Sequence, residues 1–278
     1  MKVEPLTSQI GAIVTGIDLA SGLNAEQVNA LRKAWLTHQV VFIRGQDITP
    51  AEQMRFARQI GEPDQYPFLK GIDGFPEITE VLKKEDETVN FGGIWHSDTT
   101  YQACPPMATM LYAKQLPAVG GDTLFANQYA AYESLSTGLA QTINPLKAIS
   151  SAGNKVVSAT RVPRINDHGT GTAPDALQAC HPVVRVHPET GRRSLYINPA
   201  HTTHFDGWST QDSAALLQTL FSRQTREEIT CRFKWQAGDL ALWDNRCCLH
   251  YPVNDYHGQR RLLHRITLKG DVPVGPGK

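Results

Sequence analysis

The second half of the chain is written almost wholly in short apolar, β-branched runs punctuated by turn residues. No other feature restricts the fold as much. His181-Pro182-Val183-Val184-Arg185-Val186-His187 and Ser194-Leu195-Tyr196-Ile197 flank Pro188-Glu189-Thr190-Gly191; runs of this kind across a glycine-bearing turn read as a hairpin. Ile229 to Trp235, the alternating Leu240 and Leu242 after Gly238-Asp239, and His264 to Leu268 read as further strands. The first half offers a bent strand from Ile10 to Leu19, a helix capped by Asn24 with Val28, Leu31 and Trp35 on one face, and a buried strand at Val40–Ile43. Thr49-Pro50-Ala51-Glu52 joins a capping box to a proline at the first helical position, starting a helix that carries Phe56 and Ile60. A further helix begins at Thr210 with Leu216, Leu217, Leu220 and Phe221. Many strands with three or four outer helices predict a mainly β fold with flanking helices. The fitting core is a double-stranded β-helix (jelly-roll, cupin-like), which encloses a pocket between two sheets.

A chain of 278 residues fits one large domain, taken here as a single unit over 1–278. Lys+Arg and Asp+Glu each total 27, so no global charge draws the chain toward nucleic acid or an anionic membrane. No apolar run approaches a membrane span of about 20 residues, and Met1-Lys2-Val3-Glu4-Pro5 lacks the character of a signal peptide. Five cysteines without C-x-x-C spacing suggest reduced thiols in a cytoplasmic protein. Cys247-Cys248 reads as core packing, because neighbouring strand residues face opposite ways and do not easily share an ion. The regular pattern fades over 61–93 and over 150–180, where Gly169-Thr170-Gly171-Thr172 marks a tip. Both segments read as active-site lids, with surface insertions as the alternative.

Within this frame His96 and Asp98, in Trp95-His96-Ser97-Asp98, stand with His250 as candidate metal ligands. Two imidazoles and a carboxylate cap one face of an octahedral ion and leave the opposite positions open, which suits non-heme Fe(II). A 2-oxo acid can fill two of those positions. Its far carboxylate then calls for a guanidinium, and Arg261 and Arg265 follow His250 on a strand expected to pair back beside it. His181 and His187 read as strand caps, and Trp95 and Trp243 as packing walls.

These motifs, with Gly120-Gly121-Asp122-Thr123 and Trp243-Asp244-Asn245-Arg246, make the chain resemble the taurine dioxygenase/TfdA family of Fe(II)- and 2-oxoglutarate-dependent dioxygenases over nearly its whole length. The resemblance implies His96, Asp98 and His250 as iron ligands, Thr123 and Arg261 on the distal carboxylate of 2-oxoglutarate, and Arg265 on the anionic group of the substrate. It also implies O2 as co-reactant, succinate and CO2 as coproducts, and a homodimer or homotetramer. Tyr66, Thr99, Tyr101 and His201 complete the expected substrate pocket. Tyr66, Gly92 and His201 stand where taurine dioxygenase carries other residues, which shifts the expectation from taurine to another small anion: a sulfonate, alkyl sulfate, aryloxyalkanoate or other carboxylate. Asp98 fills the position that halogenases of the family leave for chloride, so hydroxylation is expected, with C–S, C–O or C–N cleavage where the product collapses. The rival reading is a jelly-roll module that binds a small anion or sugar without catalysis.

Overall fold

The computed structural model describes residues 1–277. Strands β1 (Lys2–Pro5) and β2 (Ala12–Thr15) lead to helix α1 (Ala25–His38), strand β3 (Val40–Ile43) and helix α2 (Pro50–Ile60). Short β4 (Pro63–Asp64) and β5 (Thr79–Lys83) precede the long β6 (Ala108–Gln115) and β7 (Thr123–Asn127). Next come α3 (Gln128–Glu133), α4 (Thr137–Ile143), β8 (Lys147–Ser151), α5 (Lys155–Ser158) and α6 (Val162–His168). β9 (Gln178–Pro182), β10 (Val184–Val186), β11 (Arg193–Leu195) and β12 (Thr202–Phe205) are followed by α7 (Thr210–Gln224). The last strands are β13 (Thr230–Phe233), β14 (Leu240–Asp244), β15 (Cys248–Pro252) and β16 (Arg261–Leu268).

The helix starts are those that the capping residues dictate. Asn24 accepts from Gln27 N while the Gln27 side chain returns to the Asn24 backbone, and Thr49 and Glu52 make the same reciprocal pair. Each box satisfies backbone donors that the first helical turn would leave orphaned.

An eight-stranded sheet runs in the order β1-β2-β3-β14-β6-β16-β4, with β5 paired to β16, and all its pairs except β2–β3 are antiparallel. Three-stranded sheets β13-β7-β15 and β12-β8-β9 and the hairpin β10–β11 complete the β structure. Alternation along the strands divides the core in two. On β3 and β14, Val41, Ile43, Leu240 and Leu242 face α1 and α2, where Leu31, Trp35, Met54 and Phe56 cover them. Val40, Phe42, Ala241 and Trp243 point the other way, against Phe125 and Cys248 of the β13-β7-β15 sheet. Phe42 and Phe233 stack there at 3.8 Å. Fully burying each such large side chain is worth about 1.5–3 kcal/mol. The site lies in this inter-sheet layer, because Leu263 belongs to it and Arg261 and Arg265 share the Leu263 face of β16 by period-two alternation.

Three expectations need correction. The Arg261 strand does not pair beside His250: β16 pairs with β6, β5 and β4, whereas β15 pairs with β7. Residues 253–260 carry the chain from one sheet to the other, so the arginines reach the histidine from a different sheet. The segment 61–93 is not irregular throughout, since β5 binds β16 over five residues. The segment 150–180 holds α5, α6 and the start of β9, and helices α3 and α4 were also unforeseen, so the helices exceed the three or four expected. These helices span only four to seven residues, too few for a 3.6-residue period to show.

Candidate metal centre and its anion pocket

His96 and His250 are brought together by backbone pairing. His96 N donates to His250 O at 3.0 Å and His250 N to His96 O at 2.8 Å, an isolated antiparallel bridge that sets their rings 4.0 Å apart. Gly92 makes room for them. It sits at φ +68°, and a Cβ there would lie 3.1 Å from His96 Cε1. Asp98 arrives two residues later, its Oδ1 3.7 Å from His96 Nε2. The candidate ligand atoms of His96, Asp98 and His250 all lie within 4.8 Å of one another, and all three residues are buried.

Neighbours fix each donor. His96 Nδ1 donates to Ile94 O at 2.6 Å, leaving Nε2 as the free lone pair. Asp98 Oδ2 accepts from Thr109 Oγ1 at 2.6 Å. Asn245 orders the rest: its Nδ2 donates to Thr109 Oγ1 at 2.8 Å, and its Oδ1 accepts from Trp243 Nε1 at 2.9 Å. Thr99, just after Asp98, holds φ +44°, a conformation costly for a β-branched residue. The protonation states suit a metal. Burial keeps both imidazoles neutral, with His250 lowered to about 3. Burial alone would raise Asp98, but His250, Arg265, His96 and Thr109 outweigh it and lower its pKa. Buried His250 Nδ1 has no hydrogen-bond partner. Two neutral imidazoles and an ionised carboxylate make a donor set that fits Fe(II). Cys247 approaches a second cluster, with His187 and Asp244. There Asp244 is already held by Arg246 and by His187 Nε2 at 3.0 Å, and His187 Nδ1 accepts from Glu189 N and Thr190 N. This is a closed network in which His187, just after β10, holds the following turn through its Nδ1.

Thr123, Arg261 and Arg265 converge from the other strands. Arg261 Nη2 lies 3.5 Å from Thr123 Oγ1, which also accepts from Trp235 Nε1 at 2.9 Å. Gly121, at φ +72°, lets the arginine pass, since a Cβ there would stand 3.1 Å from Arg261 Cδ. Burial lowers the Arg261 pKa, and its Nε is unpartnered. Arg260, the register-slip alternative, is partly exposed beside Glu85. A cavity of about 40 Å³ joins Thr123, Arg261, Arg265, His96, His250 and Phe91. That is little more than one water's share of the liquid, so ligand entry requires movement of the wall. A larger cleft of about 270 Å³, between Lys70, Glu80, Arg164 and His168, lies apart from this chemistry.

Arg265 is buried, its Cζ 4.0 Å from the Tyr66 ring centroid and its Nη1 3.8 Å from Asp98 Oδ1. Tyr66, Thr99, Tyr101 and His201 are all buried, and of these Tyr66 lies directly against Arg265. The Thr99 hydroxyl has no partner, and Tyr101 OH faces Tyr66 without a hydrogen bond of normal geometry. His201 is less open than expected: Thr100 Oγ1 lies 3.0 Å from its Nδ1 and Arg161 Nη2 2.7 Å from its Nε2, so both ring nitrogens are engaged. Arg161 was missed, because it lies in the segment read as a loop. The available signals were Asn154 as a helix cap and the spacing of Arg161 and Arg164 by one helical turn.

A sequence model described as "Taurine catabolism dioxygenase TauD, TfdA family" matches residues 2–267. An alpha-ketoglutarate-dependent sulfate ester dioxygenase of Pseudomonas putida is 36% identical over 99% of this chain and 91% of its own length. An alkylsulfatase of Acinetobacter baylyi is 37% identical over 99% and 87%. The crystal structure of a taurine dioxygenase from Burkholderia xenovorans superposes with a TM-score of 0.83 at 37% identity, covering 99% of this chain and 93% of that one. Sequence and fold agree over the span that holds His96, Asp98, Thr123, His250, Arg261 and Arg265, and the chain belongs to the TauD, TfdA family of dioxygenases.

Proposed function

We propose that this chain is an Fe(II)- and 2-oxoglutarate-dependent dioxygenase that hydroxylates a small organic anion. One observation carries the reading: in the buried His96–Asp98–His250 group, His96 and His250 line a cavity together with two buried arginines, Arg261 and Arg265. His96, Asp98 and His250 hold the iron, which when bound supplies the oxidation of 2-oxoglutarate and the oxygenation of a substrate C–H bond. Arg261 and Thr123 bind the distal carboxylate of 2-oxoglutarate. Arg265 takes the substrate's anionic group, and Tyr66, Thr99 and Tyr101 line its seat. His201, with both nitrogens engaged, serves as wall. Trp243 and Phe91 exclude water. Hydroxylation at a carbon bearing sulfur, oxygen or nitrogen leads to cleavage, which releases sulfite, an alcohol or phenol, or an amine; at the carbon of a sulfate ester the same collapse releases sulfate.

Two stacked sheets with the site between them support a double-stranded β-helix core. The chain acts as a single unit in which 61–93 and 150–180 cap the site. All five cysteines are free, which supports a cytoplasmic setting, and no helix among the described residues is long and apolar enough to cross a membrane. The test is succinate formation by anaerobically iron-loaded protein given 2-oxoglutarate, then air, with alkyl sulfates, sulfonates and aryloxyalkanoates in turn. Stimulation by one class is expected; no succinate from iron-loaded protein refutes the reading and favours the binding module.

A further inference from the structure

Six arginines are buried in this chain: Arg161, Arg164, Arg185, Arg246, Arg261 and Arg265. Three are paired with carboxylates. Arg164 meets Glu87 and Asp167, Arg185 meets Asp271 at 2.7 Å, and Arg246 meets Asp244 at 2.7 Å and Glu189 at 2.8 Å. The other three surround the candidate centre. Arg265 has only Asp98, at 3.8 Å, whose charge belongs to the metal. Arg161 and Arg261 have no carboxylate within 4.0 Å among the described residues. An unpaired guanidinium in a dry interior is strongly unfavourable unless a ligand completes it. The distal carboxylate of 2-oxoglutarate completes Arg261 and the substrate anion completes Arg265. Arg161 has no assigned counterion.

Arg161 is 3% exposed and immediately precedes α6. Its Nη2 is bonded to His201 Nε2 and its Nε has no partner. His201 supplies no charge: burial, and then Arg161 itself, hold that imidazole neutral. The Arg161 Cζ lies 5.3 Å from the Tyr101 ring and 5.9 Å from the Phe68 ring. Phe68 touches Tyr66 at 5.7 Å and Tyr101 at 5.6 Å between ring centroids, and Arg265 covers Tyr66. The aromatic group Tyr66–Phe68–Tyr101 therefore carries a guanidinium at each end, one from β16 and one from the capping segment.

We infer that Arg161 is a second substrate-anion residue, and that with Arg265 it selects a sulfur oxoanion, a sulfate monoester or sulfonate, over a carboxylate. A carboxylate is planar and presents only two oxygens, both of which one guanidinium fork engages side by side in a single plane. Two forks on separate elements are met by a tetrahedral head with three terminal oxygens. Arg265 Nη2 is itself a further buried group without a partner. The inference rests on the dioxygenase reading above.

The test is calorimetric titration, without oxygen, of protein loaded with Mn(II) and 2-oxoglutarate. The probes are hexyl sulfate, hexanesulfonate and hexanoate. Both sulfur anions are expected to bind at least tenfold tighter than hexanoate, and the tighter of the two identifies ester or sulfonate. Arg161→Gln should weaken the sulfur anions by about tenfold to a hundredfold, the scale of one lost charge-assisted hydrogen bond, and hexanoate by less than threefold. Arg161→Lys, which keeps the charge, should regain part of the loss. The melting temperature of ligand-free Arg161→Gln should not fall, because the variant removes an unpaired buried charge. Preference for hexanoate, or equal weakening of all three probes with a lower melting temperature, overturns the inference. Failure of the wild-type protein to bind 2-oxoglutarate overturns the dioxygenase reading instead.

Discussion

Arg261→Ala separates a guanidinium that waits for a ligand from one that holds the fold. The side chain is 4% exposed, its Nε is unpartnered, and its one side-chain hydrogen bond, to Thr123, is long at 3.5 Å. Removing one member of a buried, hydrogen-bonded charge pair costs about 2–5 kcal/mol in binding. At the midpoint the 2-oxoglutarate Kd should rise by a few hundredfold, since about 1.4 kcal/mol is tenfold. The same number can be read as stability. Ligand at about 100 times the wild-type Kd stabilises the folded state by about 2.7 kcal/mol. In a chain somewhat larger than 250 residues that is a rise of roughly 5 °C in melting temperature. A hundredfold weaker variant under the same conditions gains only about 0.4 kcal/mol, or roughly 1 °C. Scanning calorimetry with Mn(II), with and without 2-oxoglutarate, reads both. Without ligand the variant should melt no lower than wild type, because Arg261 has no carboxylate within 4.0 Å among the described residues. An equal ligand-induced rise in both proteins would refute the role, and a ligand-free melting temperature several degrees lower would make Arg261 structural.

Asp98→Ala removes one of three candidate ligands and should cost more than the about 10- to 100-fold in metal affinity typical of losing a ligand's hydrogen-bonding neighbour; anaerobic equilibrium dialysis with Fe(II) checks this, and wild-type retention would exclude Asp98 from the set. Gly121→Ala forces a side chain into φ +72° and against Arg261, so it should destabilise by about 1–2 kcal/mol and weaken 2-oxoglutarate. Gly138→Ala, inside α4 with open space around it, should stabilise by about 0.5–1 kcal/mol, and chemical denaturation should therefore show opposite signs. Asp244→Asn tests a buried ion pair: burial alone would raise the Asp244 pKa, but Arg246 and His187 overcome it and hold it far below 3.8. A depressed carboxylate stabilises the fold above its unfolded pKa, and that contribution is lost as pH falls below it. The variant's deficit, about 3–5 kcal/mol at pH 7, should shrink in urea titrations as pH drops through 4; a constant deficit would contradict the assignment.

What the sequence disclosed depended on how local its cause was. Capping boxes act within four residues, so α1 and α2 start where Asn24 and Thr49 place them. Alternation on β14 and the turn after His187 are equally local. His96, Asp98 and His250 were legible from residue type and motif, because few donor sets serve an open iron site. The pairing of β16 was not legible: nothing near Arg261 states that residues 253–260 change sheets. Arg161 was hidden for a related reason. Its meaning lies in what it lacks, a carboxylate, and an absent partner is visible only in three dimensions.

The two segments expected to be lids, 61–93 and 150–180, are joined to each other by backbone hydrogen bonds. Leu69 and Gly169 form a bridge, Lys70 N donates to His168 O at 3.0 Å, and Thr170 N donates to Phe68 O at 3.1 Å. Further along, Gly92 N donates to Thr160 Oγ1 at 3.2 Å, and Arg164 joins Glu87. Tyr66, Phe68, Leu69, Tyr101 and Ala152 bury one small core beneath both segments. Moving one of the parts so joined without the other would break these backbone bonds and open that core, while β4 and β5 within 61–93 stay anchored to β16. Of these segments, Val81 and Phe91 line the 40 Å³ cavity, and Phe91 packs edge-on against Tyr66 at 6.1 Å. The same segments set Tyr66 against Arg265 and Arg161 beside Tyr101, so on the inference drawn above an anion held by both guanidiniums would favour this arrangement by the difference in its affinity for it and for any more open form. On that reading, substrate charge and exclusion of water would be coupled through the residues of these two segments.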